Sequence, residues 1–123
     1  MPDVTAKHFT EFTAKDEKFF LARRDLGVQS FGLQVGRLRK DEAVYPAHDE
    51  AGSGQEEVYI VLEGTGKLIA DGEETPLRPG SFVRVGPSAH RDVVPDDGQE
   101  LVVVVVGGTP GQAYQAPDWT TEV

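Results

Sequence analysis

The feature that most constrains this chain is its punctuation. Short apolar runs recur at roughly eight- to twelve-residue spacing, each closed by a turn rich in Gly, Pro or Asp, and no long stretch carries a helical period. Phe31, Leu33 and Val35 alternate with Gly32, Gln34 and Gly36, the period of two expected of a half-buried strand. The run Val58-Tyr59-Ile60-Val61-Leu62 ends at Glu63-Gly64-Thr65-Gly66 and predicts a strand buried on both faces. Asp71-Gly72, flanked by Lys67 to Ala70 and Glu73 to Leu77, is a strong hairpin signal. Pro79-Gly80 and the stretch 95–98 mark further turns, with a strand from Phe82 to Val85 between them. Leu101 to Val106 reads as a last, central strand. The first twenty-five residues, with Phe9, Phe12, Phe19 and Phe20, suit a short helical turn or a short strand equally well. The expectation is an all-β sandwich or barrel.

Length and charge narrow the class. At 123 residues the chain has room for one domain with a real core, and 38% hydrophobic with 27% charged residues is a globular composition. The formal charge of −9 speaks against a basic nucleic-acid face. The longest apolar run, Leu101 to Val106, is far too short to span a bilayer, so no membrane role is expected. The polar start of the chain has no signal-peptide pattern, and cysteine is absent, so the expected compartment is the cytoplasm.

The stretch from Tyr45 to Gly66 contains Tyr45-Pro46-Ala47-His48, then Gly54-Gln55-Glu56-Glu57-Val58-Tyr59, and closes on Gly64-Thr65-Gly66. It resembles the first motif of the cupin superfamily, in which a Pro-x-His-x-His segment leads to a Glu, six further residues and a Gly. His48 matches the first His, and Glu57 with Gly64 matches the Glu and Gly. The stretch from Gly80 through Pro87 to His90 resembles the second motif, a Gly followed by a strand, a Pro-containing turn and a His. The resemblance covers residues 45 to 94 and is similar to small single-domain bacterial cupins. It implies a jelly-roll β-barrel of two packed antiparallel sheets. One domain over 1–123 is expected, with the core barrel at about 28–107 and the N-terminal segment and C-terminal tail packed on it.

The resemblance also implies a metal site, and the residues qualify it. His48, Glu50, Glu57 and His90 are the candidate ligands for one divalent Mn, Fe, Ni or Zn, a donor set of imidazole and carboxylate that suits these ions. Glu57 shares a strand face with Tyr59 and Val61, opposite to Val58, Ile60 and Leu62. Two departures stand out. The motif's second His falls on Glu50 or is displaced by the longer loop at 49–55, and His90 comes one position early, with Arg91 in the expected place. An inward Arg91 would put a cation where a ligand should be and favour an anionic small molecule over a metal. Tyr45, Tyr59, Arg84 and Arg91 are therefore the candidate pocket residues, the arginines as carboxylate-gripping forks. Trp119 is expected to pin the Gly- and Pro-rich tail to the barrel or to a partner subunit.

Function stays open between a barrel that binds a small molecule without chemistry and a metal-dependent dioxygenase, isomerase or lyase. A metal-free isomerase is a variant, with His90 or Tyr59 as acid–base partner. The apolar runs at 58–62 and 102–106 also predict a homodimer.

Overall fold

The computed structural model describes residues 2–40, 45–48 and 50–121, with the backbone alone at 45–48 and at 121. Its strands form two antiparallel sheets. The first strands are β1 (Ala14–Lys15), β2 (Phe19–Phe20), β3 (Gly32–Arg39), β4 (Tyr45–His48) and β5 (Glu56–Glu63). They are followed by β6 (Gly66–Ala70), β7 (Glu73–Leu77), β8 (Phe82–Val85), β9 (Arg91–Pro95) and β10 (Glu100–Gly108). The larger sheet has the order β1-β2-β3-β10-β5-β8 and the smaller one β4-β9-β6-β7. This is a jelly-roll arrangement in which the two sheets face each other without closing into one continuous ladder. Two short helices, α1 (Ala22–Leu26) and α2 (Asp118–Thr121), and a 3₁₀ turn at Phe9–Glu11 complete it. Among the described residues no helix is long and apolar enough to cross a membrane.

Strand parity decides what each sheet face does. Between the sheets lie Leu38, Tyr59, Val61, Leu68, Leu77, Val85, Val93, Leu101, Val103 and Val105. Each is at most 5% exposed, and a side chain of this size stabilises by about 1.5–3 kcal/mol when fully buried. A second cluster covers the outer face of the large sheet, where Val35 and Val102 meet Phe12, Phe20 and Ala22 of the N-terminal segment. That segment uses both structures its sequence allows, a helical turn at Phe9–Glu11 and then the strands β1 and β2.

Two sequence expectations change in sense here. In β3 the apolar residues Leu33 and Val35 pack outward under the N-terminal segment, while Gln34 pairs with Val105 and so belongs to the inner face. In β5 only Tyr59 and Val61 are fully enclosed. Val58 and Ile60 are half-buried and Leu62 is exposed, because the N-terminal layer does not reach the β5–β8 side of the sheet.

The chain passes from the large sheet to the small one at Gly64-Thr65-Gly66, between β5 and β6. Gly64 has φ +80, and a Cβ there would run into the Glu100 carbonyl of β10. The predicted hairpin turn at Asp71-Gly72 is present, with both residues at positive φ (51 and 82) as a two-residue connection requires.

Candidate functional site

Over the inner face of the large sheet, beside residues from both ends of the chain, a cavity of about 380 Å³ opens to the outside. Its floor is a row across the large sheet, where β3, β10 and β5 place Gly32, Gly107 and Glu57 side by side. The next row is Gln34, Val105 and Tyr59. The two glycines leave room that other groups fill. A Cβ on Gly32 would stand 3.0 Å from the hydroxyl of Tyr114, and one on Gly107 would stand 3.0 Å from Gln55 Oε1 and 3.3 Å from Glu57 Cγ. Tyr114 thus lies on Gly32, and Glu57 lies against Gly107.

The inner end of the cavity is polar, with Gln34, Glu50, Gln55, Glu57, Arg23 and Tyr114 in its wall. The rim is aromatic and comes from both ends of the chain. Trp119 packs edge-on against Phe19 with centroids 6.3 Å apart, and Lys15 lies over the indole while donating to the Trp119 carbonyl at 3.1 Å. Through these contacts Trp119 holds the tail to the N-terminal hairpin. Burial raises the Tyr114 hydroxyl above the ordinary phenol value, Arg23 opposes this, and Glu50 and Glu57 add to it. Tyr114 therefore stands as a neutral O–H donor beside two carboxylates.

Glu57 is held from behind. The Tyr59 hydroxyl donates to Glu57 Oε1 at 2.8 Å, and Arg91 Nη2 lies 3.4 Å from the same oxygen. Both Tyr59 and Arg91 are completely enclosed. Arg91 also donates to the carbonyls of Ala89 at 2.8 Å and Gly86 at 3.4 Å. It faces inward because β9 alternates about Val93, which is in the core, so Arg91 and Pro95 share that face.

The predicted residues separate accordingly. Glu57 and Glu50 both reach the cavity, Glu50 from a turn in which its carbonyl accepts from the Gly54 N–H at 2.7 Å. His90 precedes β9 and is exposed, one position out of phase with the inward residue, and it does not line the cavity. Tyr59 and Arg91 sit behind the wall, so neither offers its surface to a ligand there. Arg84 is on the outer face of β8, where it grips Glu56 at 2.9 Å, and that places it away from the cavity. The backbone of His48 is registered opposite Arg91 and that of Tyr45 opposite Val93, but both side chains lie outside the described residues. Sequence reasoning missed Gln34, Gln55, Arg23 and Tyr114. The one signal that could have found Gln34 is a polar residue between two glycines in an otherwise apolar strand.

The profile of the cupin domain family matches residues 37–107, more than half of the chain. The chain is a cupin. Solved structures agree on the fold. A cupin protein from Bacteroides fragilis superposes with a TM-score of 0.69 at 18% identity, covering 100% of this chain and 98% of that one. A conserved protein with a double-stranded β-helix domain from Klebsiella pneumoniae gives 0.58 at 16% identity, over 71% and 73% of the two chains. A protein named as a candidate sugar phosphate isomerase, from Acidithiobacillus ferrooxidans, gives 0.55 at 25% identity, over 69% of this chain and 54% of that one. No curated protein matches this cupin by sequence.

Cupin domains often bind a divalent metal, so the donor set of this one can be tested for fit. Among the described residues no group of three or more His, Cys, Asp or Glu side chains converges. Glu57, the motif's carboxylate, already accepts from Tyr59 and faces a buried guanidinium. A second cation at Glu57 would be repelled by the first in a region shielded from water. The described residues do not fit a divalent ion.

Proposed function

We propose that this cupin binds a small organic molecule in the cavity beside Glu57. The observation that supports this reading is the cavity itself, about 380 Å³ with a polar inner end and an aromatic rim. That volume is within the usual range for small-ligand sites. The charged lining is balanced, with Lys15, Arg23 and Arg24 against Asp16, Glu50 and Glu57. Arg91 is committed to Glu57 and to two carbonyls, so attraction of an anionic group falls to Arg23 and Lys15. Two glutamines, two carboxylates and a phenol beside a Trp–Phe rim suit a ligand with several hydroxyls and one apolar face, the pattern of a sugar derivative or hydroxy acid.

A second reading, proton transfer on such a ligand, is favoured by one arrangement. Glu57 and the neutral phenol of Tyr114 stand in adjacent positions of the floor and could act as base and acid. The likeness to the candidate sugar phosphate isomerase points the same way. We also propose that a second copy of the chain covers the outer side of β5 and β8. There Leu62 and Phe82 are 45% and 70% exposed, and β8 ends the strand order.

Trp119 is the one tryptophan and sits at the rim, so its emission reports on the cavity. Titration with pentoses, hexoses, their phosphates and small hydroxy acids should give a saturable change with one class. Gln34→Leu or Glu57→Gln should weaken it. If no class changes emission or melting temperature, or if both variants bind like the parent, the cavity is not a ligand site.

A further inference from the structure

We infer that Arg91 is the built-in cation of this barrel, standing in for a metal ion as the counter-charge of Glu57, and that it makes the interior refuse divalent cations. The inference is independent of which organic molecule enters the cavity. It rests on the position of one residue in a strand. β9 turns Arg91 inward beside Val93 and leaves His90 outside, so an imidazole that could ligate is exchanged for a guanidinium that cannot. The guanidinium is fully enclosed, and its Nη2 lies 3.4 Å from the oxygen of Glu57 that also takes the Tyr59 hydroxyl. Two carbonyls, of Ala89 and Gly86, hold the fork in that place.

A buried carboxylate needs a counter-charge or it is costly, and here the chain carries that charge on its own side chain. The arrangement has two effects. Glu57 is fixed against the Gly107 floor, with Oε1 engaged by Tyr59 and Arg91 from behind. An incoming divalent ion would have to bind within a few ångströms of a positive charge that cannot be given up. Arg91 is thus a positioning residue, acting on the cavity through Glu57.

The test is metal retention after incubation with millimolar Mn²⁺, Ni²⁺ or Zn²⁺ and desalting, read by elemental analysis beside melting temperature. The parent should keep only traces and melt at an unchanged temperature. Arg91→Gln, which removes the guanidinium beside Glu57, should retain more metal, up to about one equivalent, and melt higher when metal is added. Arg91→Lys, which keeps the charge, should behave as the parent. If Arg91→Gln does not fold, the double variant Arg91→Gln/Glu57→Gln removes both buried charges and should recover stability relative to it. Near-stoichiometric metal on the parent that disappears in Glu57→Gln would overturn the inference. So would a double variant no more stable than Arg91→Gln, since the two charges would then not be coupled. Sugar or hydroxy-acid titration of the parent is read separately, so failure of the cavity as an organic site leaves this result interpretable.

Discussion

Gly64→Ala can be worked out in advance from the geometry at the corner between the sheets. Two costs coincide there. The backbone is at φ +80, and an L side chain in the left-handed region costs about 1–2 kcal/mol. A Cβ would also penetrate the Glu100 carbonyl oxygen and stand 2.9 Å from its carbon and 3.1 Å from Leu101 Cα, all backbone atoms of the central strand. Relief requires β10 to move, and forced shifts of packed structure cost about 1–3 kcal/mol. The sum is about 2–5 kcal/mol, a large share of the roughly 5–15 kcal/mol that holds a domain together. Gly72→Ala isolates the first cost, because Gly72 has φ +82 and a Cβ there would meet nothing within 4 Å. Its net cost should be about 1 kcal/mol, since alanine also stiffens the unfolded chain. Urea unfolding of the three proteins compares them directly. With a slope of about 1–3 kcal/mol per molar, the two midpoints should differ by roughly 1–2 M. Equal shifts at unchanged slope would mean that the contact with β10 contributes nothing and that the corner yields freely.

The other predictions concern the site and its surroundings. Tyr59→Phe removes a 2.8 Å hydrogen bond to a buried carboxylate and should cost about 1.5–3 kcal/mol in urea; in a Glu57→Gln background the cost should fall, and an equal loss would uncouple the two residues. Burial would raise the carboxyl of Asp25, but the Thr13 N–H at 2.6 Å and the Arg24 guanidinium at 3.0 Å outweigh it and hold its pKa below the ordinary value of 3.8. Its contribution is therefore complete above that value and is lost as pH falls through the lowered one. Asp25→Asn should flatten this part of the acid limb of stability against pH, and an unchanged limb would exclude Asp25 as its source. Phe82→Ser should leave secondary structure intact and shift light scattering from two chains to one; a parent that scatters as one chain at micromolar concentration would remove the proposed dimer.

How much of this was legible beforehand follows from strand parity. The cupin motif placed Glu57 and Tyr59 on one face, and the structure joins them through a hydrogen bond. The phase of β9 was ambiguous because Val93 and Val94 are adjacent and equally apolar, so either His90 or Arg91 could have pointed in. The sense of β3 was hidden for a related reason. Its apolar residues face a covering layer that no local pattern announces, and its Gly-Gln-Gly row faces the cavity. Tyr114 was out of reach altogether, since its seat on Gly32 spans most of the chain and leaves no trace in either neighbourhood.

Phe19 and Phe20 are neighbours in β2 whose rings go opposite ways. Phe19 packs toward the inner cluster and the cavity rim, and Phe20 lies in the outer cluster beneath Phe9. The two-residue strand that carries them is short, and short peripheral elements tend to open without global unfolding. Such an opening would uncover Val35 and Val102 and remove one wall of the cavity in the same event. Amide exchange in β2 and the N-terminal half of β3 should then slow when the cavity is filled, although of the outer cluster only Leu33 lines the cavity. Occupancy of the barrel would be recorded on its far side as a change in the lifetime of a hydrogen bond.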